Sequence, residues 1–150
     1  MENYKNGKWA SKIISLQKDD GSWGYFHTLS EPKAHKALTT EQALRRLRIL
    51  GYTKDDTVIK KALAYLHDCL AGNKALNDRI EKGRDWDNFT KLMLATWIRK
   101  FTQDDILANQ VAKKWSTIVY AAFQSGQYDA DAYDRAWKEV WKPTHGRITK

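Results

Sequence analysis

Two carboxylates flank an aromatic ring at Asp85-Trp86-Asp87. Carboxyl groups beside a stacking surface suit general acid/base work on a sugar or a prenyl chain held against the indole. Flanking residues point apart on a helix, so the competing role for Asp87 is a helix N-cap. A second group gathers at Trp23, Tyr25, Phe26 and His27. Its rings, with Trp86, could line the mouth of a helical barrel and accept an isoprenoid or carbohydrate face. Core packing competes with that role for Trp23, and plain solvation competes with it for His27. Trp23, Tyr25, Phe26, His27, Asp85, Trp86 and Asp87 are therefore the candidate ligand-binding residues, and no residue is assigned a catalytic role.

Other constellations have simpler readings. The pairs Asp55/Asp56 and Asp104/Asp105 resemble acidic clusters that hold magnesium and a diphosphate. Their recurrence at matching positions favours helix capping, because one active site rarely needs a duplicate. His67 and Cys69 lie two apart, which points them to different faces of a helix, and Cys69 falls on an apolar stripe. A buried structural thiol is expected there, with no metal and no cofactor. Arg45, Arg46 and Arg48, with Lys60 and Lys61, form the densest basic patch, but no aromatic residue is interleaved with them. The net charge is +8, with 13 basic and 8 acidic side chains in residues 1–75 and 13 and 10 in residues 76–150. Charge spread this evenly reads as a solvated basic surface, and binding to nucleic acid is expected to be weak and non-specific.

These residues must be positioned by helices. A chain of 150 residues that is 42% hydrophobic and carries seven Trp and seven Tyr can bury a sizeable core, which excludes a disordered chain. Only two Pro and eight Gly argue against turn-dense all-β architectures. The single cysteine excludes an intramolecular disulfide. The N-terminus has no apolar run of signal-peptide length and no stretch reaches membrane-spanning length, so a cytoplasmic protein with no membrane span is expected.

The spacing of Trp9, Ile13 and Leu16 predicts a first helix within residues 4–17, followed by a long surface loop from Asp19 to Leu38. Thr39 and Gln42 have capping-box spacing and open a helix that Gly51 ends; the next runs from Thr53 to Gly72. Residues 73–84 read as a connection. Further helices are expected from about Asp87, from Thr102 to Gly126, and from Asp129 to Pro143.

One regularity spans these elements. Thr53-Lys54-Asp55-Asp56 recurs as Thr102-Gln103-Asp104-Asp105, and the same offset pairs Tyr52 with Phe101, Val58 with Leu107, Ala62 with Val111, Leu66 with Trp115 and Leu70 with Val119. A repeat of this length, holding two helices expected to run antiparallel, is the signature of stacked α/α units whose neighbours complete each other's core.

Gln17-Lys18-Asp19-Asp20-Gly21-Ser22-Trp23-Gly24 matches the Gln-x3-Gly-x-Trp core of the QW motif, and the segments around Leu38–Leu44, Leu50–Tyr52 and Ala62–Leu66 continue as such repeats do. Over residues 9–70 the chain resembles the terpenoid cyclase and protein prenyltransferase α/α-toroid superfamily. The resemblance implies structural roles for Gln17, Gly21 and Trp23, with Gln tying a helix end to a loop and Trp covering it. It implies an all-α fold, a partial toroid of about six helices in one domain over residues 1–150. One QW-like copy, no Asp-x-Asp-Asp motif and no prenyltransferase zinc set imply a non-catalytic or ligand-binding domain for a small apolar or carbohydrate ligand. The alternatives are a lobe of an isoprenoid- or glycoside-active α/α-barrel enzyme and a basic nucleic-acid module. Pro143-Thr144-His145-Gly146 reads as a linker leading onward. A half-ring leaves uncovered faces, so self-association or a missing C-terminal half is expected, through the face bearing Trp137 and Trp141.

Overall fold

The computed structural model describes residues 4–28, 38–78 and 86–142. A 3₁₀ turn at Tyr4–Asn6 precedes six α-helices: α1 Lys8–Ser15, α2 Thr40–Ile49, α3 Thr57–Leu70, α4 Trp86–Phe101, α5 Ile106–Phe123 and α6 Ala130–Val140. The chain is all-helical, with no strand among the described residues. No helix among them is long and apolar enough to cross a membrane.

Local chemistry sets the helix ends. Thr39 accepts from Gln42 N at 3.3 Å and its own amide donates to Gln42 Oε1 at 3.1 Å, the reciprocal capping box. Asp129 caps α6 by accepting from Ala132 N at 3.0 Å. Near the start of α3, Lys5 Nζ grips both oxygens of Asp56 at 2.9 and 3.0 Å, which ties the N-terminal turn to that helix. The same contact, with the Thr53 amide, holds the Asp56 carboxyl below its ordinary range.

Two compact units divide the chain, residues 1–109 and 110–150. In the first, α1 lies against α2 and α3 against α4. Its core draws Leu44 and Leu47 from α2, Ile59 and Leu66 from α3, and Leu94 and Ile98 from α4, all at most 2% exposed. Helix α1 departs from the expected stripe. Trp9 is 73% exposed and Leu16 also faces solvent, while Ala10 and Ile13 are buried. The reason lies in Trp23, 4% exposed, whose indole N–H donates to Ile13 O at 2.8 Å and so fixes which face of α1 turns inward.

Gln17 and Gly21 complete that arrangement. Gln17 Nε2 donates to Gly21 O and to Val58 O, each at 3.0 Å, linking the end of α1 to the first turn of α3. Gly21 adopts φ +93°, and a Cβ there would stand 2.3 Å from Lys61 O in α3. Only glycine allows both the left-handed backbone and this approach.

Of the surface loop expected from Asp19 to Leu38, residues 22–28 turn inward instead, and residues 29–37 lie outside the described residues. Ser22, Trp23, Phe26 and His27 are buried, because the loop supplies partners for the orphan amides of α2. Thr40 N donates to Tyr25 O at 2.9 Å and Glu41 N to Phe26 O at 3.1 Å. Thr40 Oγ1 in turn accepts from Trp23 N at 3.0 Å.

The repeated tetrapeptide forms the same threonine turn in both places, but the expected capping holds for one copy only: Asp105 caps α5, whereas Asp56 makes no side-chain cap bond to α3 and accepts from Thr53 N at 2.7 Å and from Lys5 instead. Thr53 Oγ1 accepts from Asp55 N at 3.3 Å and Thr102 Oγ1 from Asp104 N at 3.2 Å, and Asp105 goes on to accept from Ala108 N at 2.9 Å in α5. The two turns also meet: Lys54 Nζ lies 3.5 Å from Asp104, and His67 Nδ1 lies 2.6 Å from Asp105. The correspondence ends in α5, where Val119 is exposed although its counterpart Leu70 is buried.

In the second unit, Trp115 contacts the rings of Trp137 and Trp141 edge-on, with centroids 5.3 and 6.0 Å apart. Trp137 also meets Tyr133, and Tyr133 meets Tyr128, with the rings tilted to one another. Trp137 and Trp141 are half-buried, so the bare apolar surface of this unit lies on α5 rather than on them.

Trp23→Ala is expected to cost about 3–5 kcal/mol, as for removal of a buried indole, and an unchanged thermal melt would contradict the clamp. Gly72, which ends α3 at φ +82° with nothing near its Cβ position, provides the control for Gly21. Gly72→Ala should cost only the left-handed backbone penalty of about 1–2 kcal/mol. Gly21→Ala should cost clearly more in urea unfolding, since the α3 backbone must also shift.

Candidate functional site

The sequence candidates Phe26, His27 and Trp86 come together around one imidazole. His27 lies in the buried loop, 4% exposed, with its ring 4.9 Å from Phe26 and 5.0 Å from Trp86. Phe89, one helical turn after Trp86, stacks on the same imidazole at 6.2 Å and 16°. Helix α4 thus delivers two rings to the loop from its first turn.

Behind the imidazole stands Glu41, also buried. Its Oε1 lies 3.6 Å from His27 Nδ1 and accepts from Thr28 N at 3.1 Å, while Oε2 accepts from Trp97 Nε1 at 2.7 Å. Burial by itself raises the Glu41 pKa, but the contacts from His27, Trp97 and Thr28 outweigh it and hold the carboxyl below its ordinary range. A second carboxylate, Asp78, accepts from Phe26 N at 2.7 Å and His27 N at 2.8 Å, one oxygen to each. Two carboxylates from distant parts of the chain therefore clasp residues 26–28.

A carboxylate beside a histidine orients the ring and leaves the other nitrogen for further chemistry. Here Nε2 of His27 is enclosed and has no hydrogen-bond partner among the described residues. Glu41 joins the loop to α2 and α4 through Thr28 and Trp97.

Tyr25 and Trp23 turn to the other side of the same loop. There a cleft of about 390 Å³ is lined by Lys18, Trp23, Gly24, Tyr25, Leu38, Thr39 and Asn77. That volume falls within the range of small-ligand sites. Lys18 makes no ion pair among the described residues, and its side chain runs beside Gly24.

The acidic trio resolves differently from its sequence reading. Asp87 lies inside the first turn of α4, which begins at Trp86, so it is not an N-cap. It is exposed, and favours the helix through the positive end of its dipole. Asp85 lies outside the described residues. Cys69 is half-buried and burial pushes its thiol up, which suits a structural thiol; no group of three or more His, Cys, Asp or Glu suited to a metal occurs among the described residues. Arg45 of the basic patch and Lys100 lie over Trp97, with 5.9 and 4.3 Å to the ring centre.

Glu41, Asp78 and Trp97 are the positions around the candidate site that sequence reasoning missed. Glu41 sat within a capping segment, and nothing in the polar stretch around Asp78 signals a partner some fifty residues away. Compared with known proteins, the chain matches no family model, no curated protein and no solved structure.

The depressed Glu41 carboxyl makes stability depend on pH. A group whose folded pKa lies below its unfolded value contributes above the unfolded pKa, about 4.3 for glutamate, and loses that contribution as the pH falls through the folded value. Glu41→Gln should destabilise the protein at pH 7 by about 1–3 kcal/mol and flatten its acid dependence below about pH 5. Urea titrations of both proteins across that range test this; parallel pH profiles would contradict it.

Proposed function

We propose that the chain is a non-catalytic ligand-binding domain of stacked α/α pairs, similar in design to the α/α toroids, and that it takes a small carbohydrate. The observation that carries this reading is the cleft beside the clamped loop. Tyr25 is half-exposed at its edge, and the ring offers a C–H-faced ligand an aromatic wall. Lys18 and Asn77 supply hydrogen-bond donors that a hydroxylated ring can use and a prenyl chain cannot. Among the described residues, the ionisable side chains in the lining are Lys18 and the Tyr25 phenol.

The clamp supports the same reading. Gln17, Gly21 and Trp23 hold the cleft's loop from one side, while Glu41 and Asp78 hold it from the other. A site whose backbone is already ordered loses little entropy when a ligand arrives. The Gln-x3-Gly-x-Trp geometry, with Gln bridging helix ends and Trp buried over them, supports the likeness to the toroid superfamily.

Calorimetric titration with maltotriose, a galacturonic acid trimer and farnesyl diphosphate tests this. Sugar binding is expected, weakened about tenfold by Tyr25→Ala, with Lys18→Ala affecting the acidic trimer more than the neutral one. Absence of heat with both sugars at millimolar concentration, or tighter binding of farnesyl diphosphate, would overturn it.

A further inference from the structure

Helix α5 carries an exposed stripe with an unusual property for so charged a chain. From Trp115 to Tyr128 there is no charged side chain, although 29% of all residues are charged and the net charge is +8. The outward positions in this run include Ser116, Val119, Tyr120 and Phe123, spaced as one helical face, with Tyr120 71% exposed and Val119 and Phe123 more than half exposed. The ring of Tyr128, also exposed, lies 5.6 Å from Phe123 and extends the patch. Charges resume at both ends with opposite signs. Lys113 precedes the stripe, and Asp129 and Asp131 follow it; all three are exposed and none makes an ion pair among the described residues, while Lys114 lies over the Trp141 ring on another side of α5.

We propose that this face is an interface with a second copy of the same chain, α5 packing antiparallel on its counterpart about a two-fold axis between Val119 and Tyr120. The two-fold operation makes the surface meet itself. It sets small Ser116 opposite large Phe123 of the other copy, and Val119 opposite Tyr120, so side chains of unequal size interlock. It also brings the lysine end of each stripe to the aspartate end of the other. Two molecules of charge +8 repel at most surfaces, and the uncharged stripe with complementary ends is where that repulsion is least. An anionic membrane or a nucleic acid would instead need basic residues along the contact, and this stripe has none.

Sedimentation velocity on the full chain, from micromolar to hundreds of micromolar, reads the association. A reversible dimer is expected, with Tyr120→Glu raising its dissociation constant at least about tenfold. Because Tyr120 is exposed, that variant should retain the wild-type circular dichroism and thermal melt. Lys113→Glu should weaken the dimer, and adding Asp131→Lys in the same chain should restore it.

Cross-linking decides the direction of packing even if a charge variant folds poorly. In a Cys69→Ser background, a Ser116→Cys chain mixed with a Phe123→Cys chain should give the mixed disulfide, in preference to either self-linked pair. A chain that stays monomeric throughout would overturn the proposal. So would association insensitive to Tyr120→Glu, self-linked Ser116→Cys pairs, or capture by anionic phosphatidylserine vesicles that Tyr120→Glu abolishes.

Discussion

Gln17 holds two carbonyl oxygens at once, and much of the first unit depends on that amide. One carbonyl belongs to Gly21 at the turn after α1, the other to Val58 in the first turn of α3. Each bond is worth only about 1 kcal/mol net, yet together they fix how the chain leaves α1. Once that exit is set, Gly21 lies against the α3 backbone and Trp23 falls under α1, where its indole finds Ile13 O. The large apolar area of the indole supplies the energy, and the hydrogen bonds supply the direction.

Everything from Ser22 to Thr28 follows from the need to satisfy buried backbone groups. The start of α2 leaves amides without helical partners, and the loop's carbonyls at Tyr25 and Phe26 take two of them. The loop's own amides at Phe26, His27 and Thr28 then need acceptors, which Asp78 and Glu41 provide. Charge-assisted bonds of this kind are stronger than neutral ones, and here they hold a non-helical segment in place. The same accounting leaves Tyr25 facing the cleft rather than the core, and so connects the order of the loop to what it can bind.

The two copies of the repeat are used differently. The Thr-x-Asp-Asp turns are alike in hydrogen bonding because they are local, needing only a hydroxyl and nearby amides. Burial along the following helices is not local. Ala62 and Val111 are both buried, but Leu70 turns inward and Val119 outward, which leaves α5 with an apolar outer stripe that α3 lacks. Trp137 and Trp141 of α6 and its C-cap meet Trp115 edge-on on another side of α5 and leave that stripe bare.

The sequence by itself determined the helices and the caps at Thr39 and Asp129, because periodicity and capping act over a few residues, while Asp87, expected as an N-cap, falls inside α4. It also singled out Gln17, Gly21 and Trp23, whose types carry their roles. Only the tertiary structure decided which face of α1 is buried, since Trp9 and Ile13 are equally apolar on paper and the choice rests on a bond from Trp23. The candidate site was legible in its rings and illegible in its supports. Phe26, His27 and Trp86 stand out as aromatic groups, whereas Asp78 acts across some fifty residues through backbone amides that any sequence possesses, and Glu41 reaches Trp97 over a similar distance. Long-range contacts of that kind arise from how the elements pack, and residue types alone do not encode the partner.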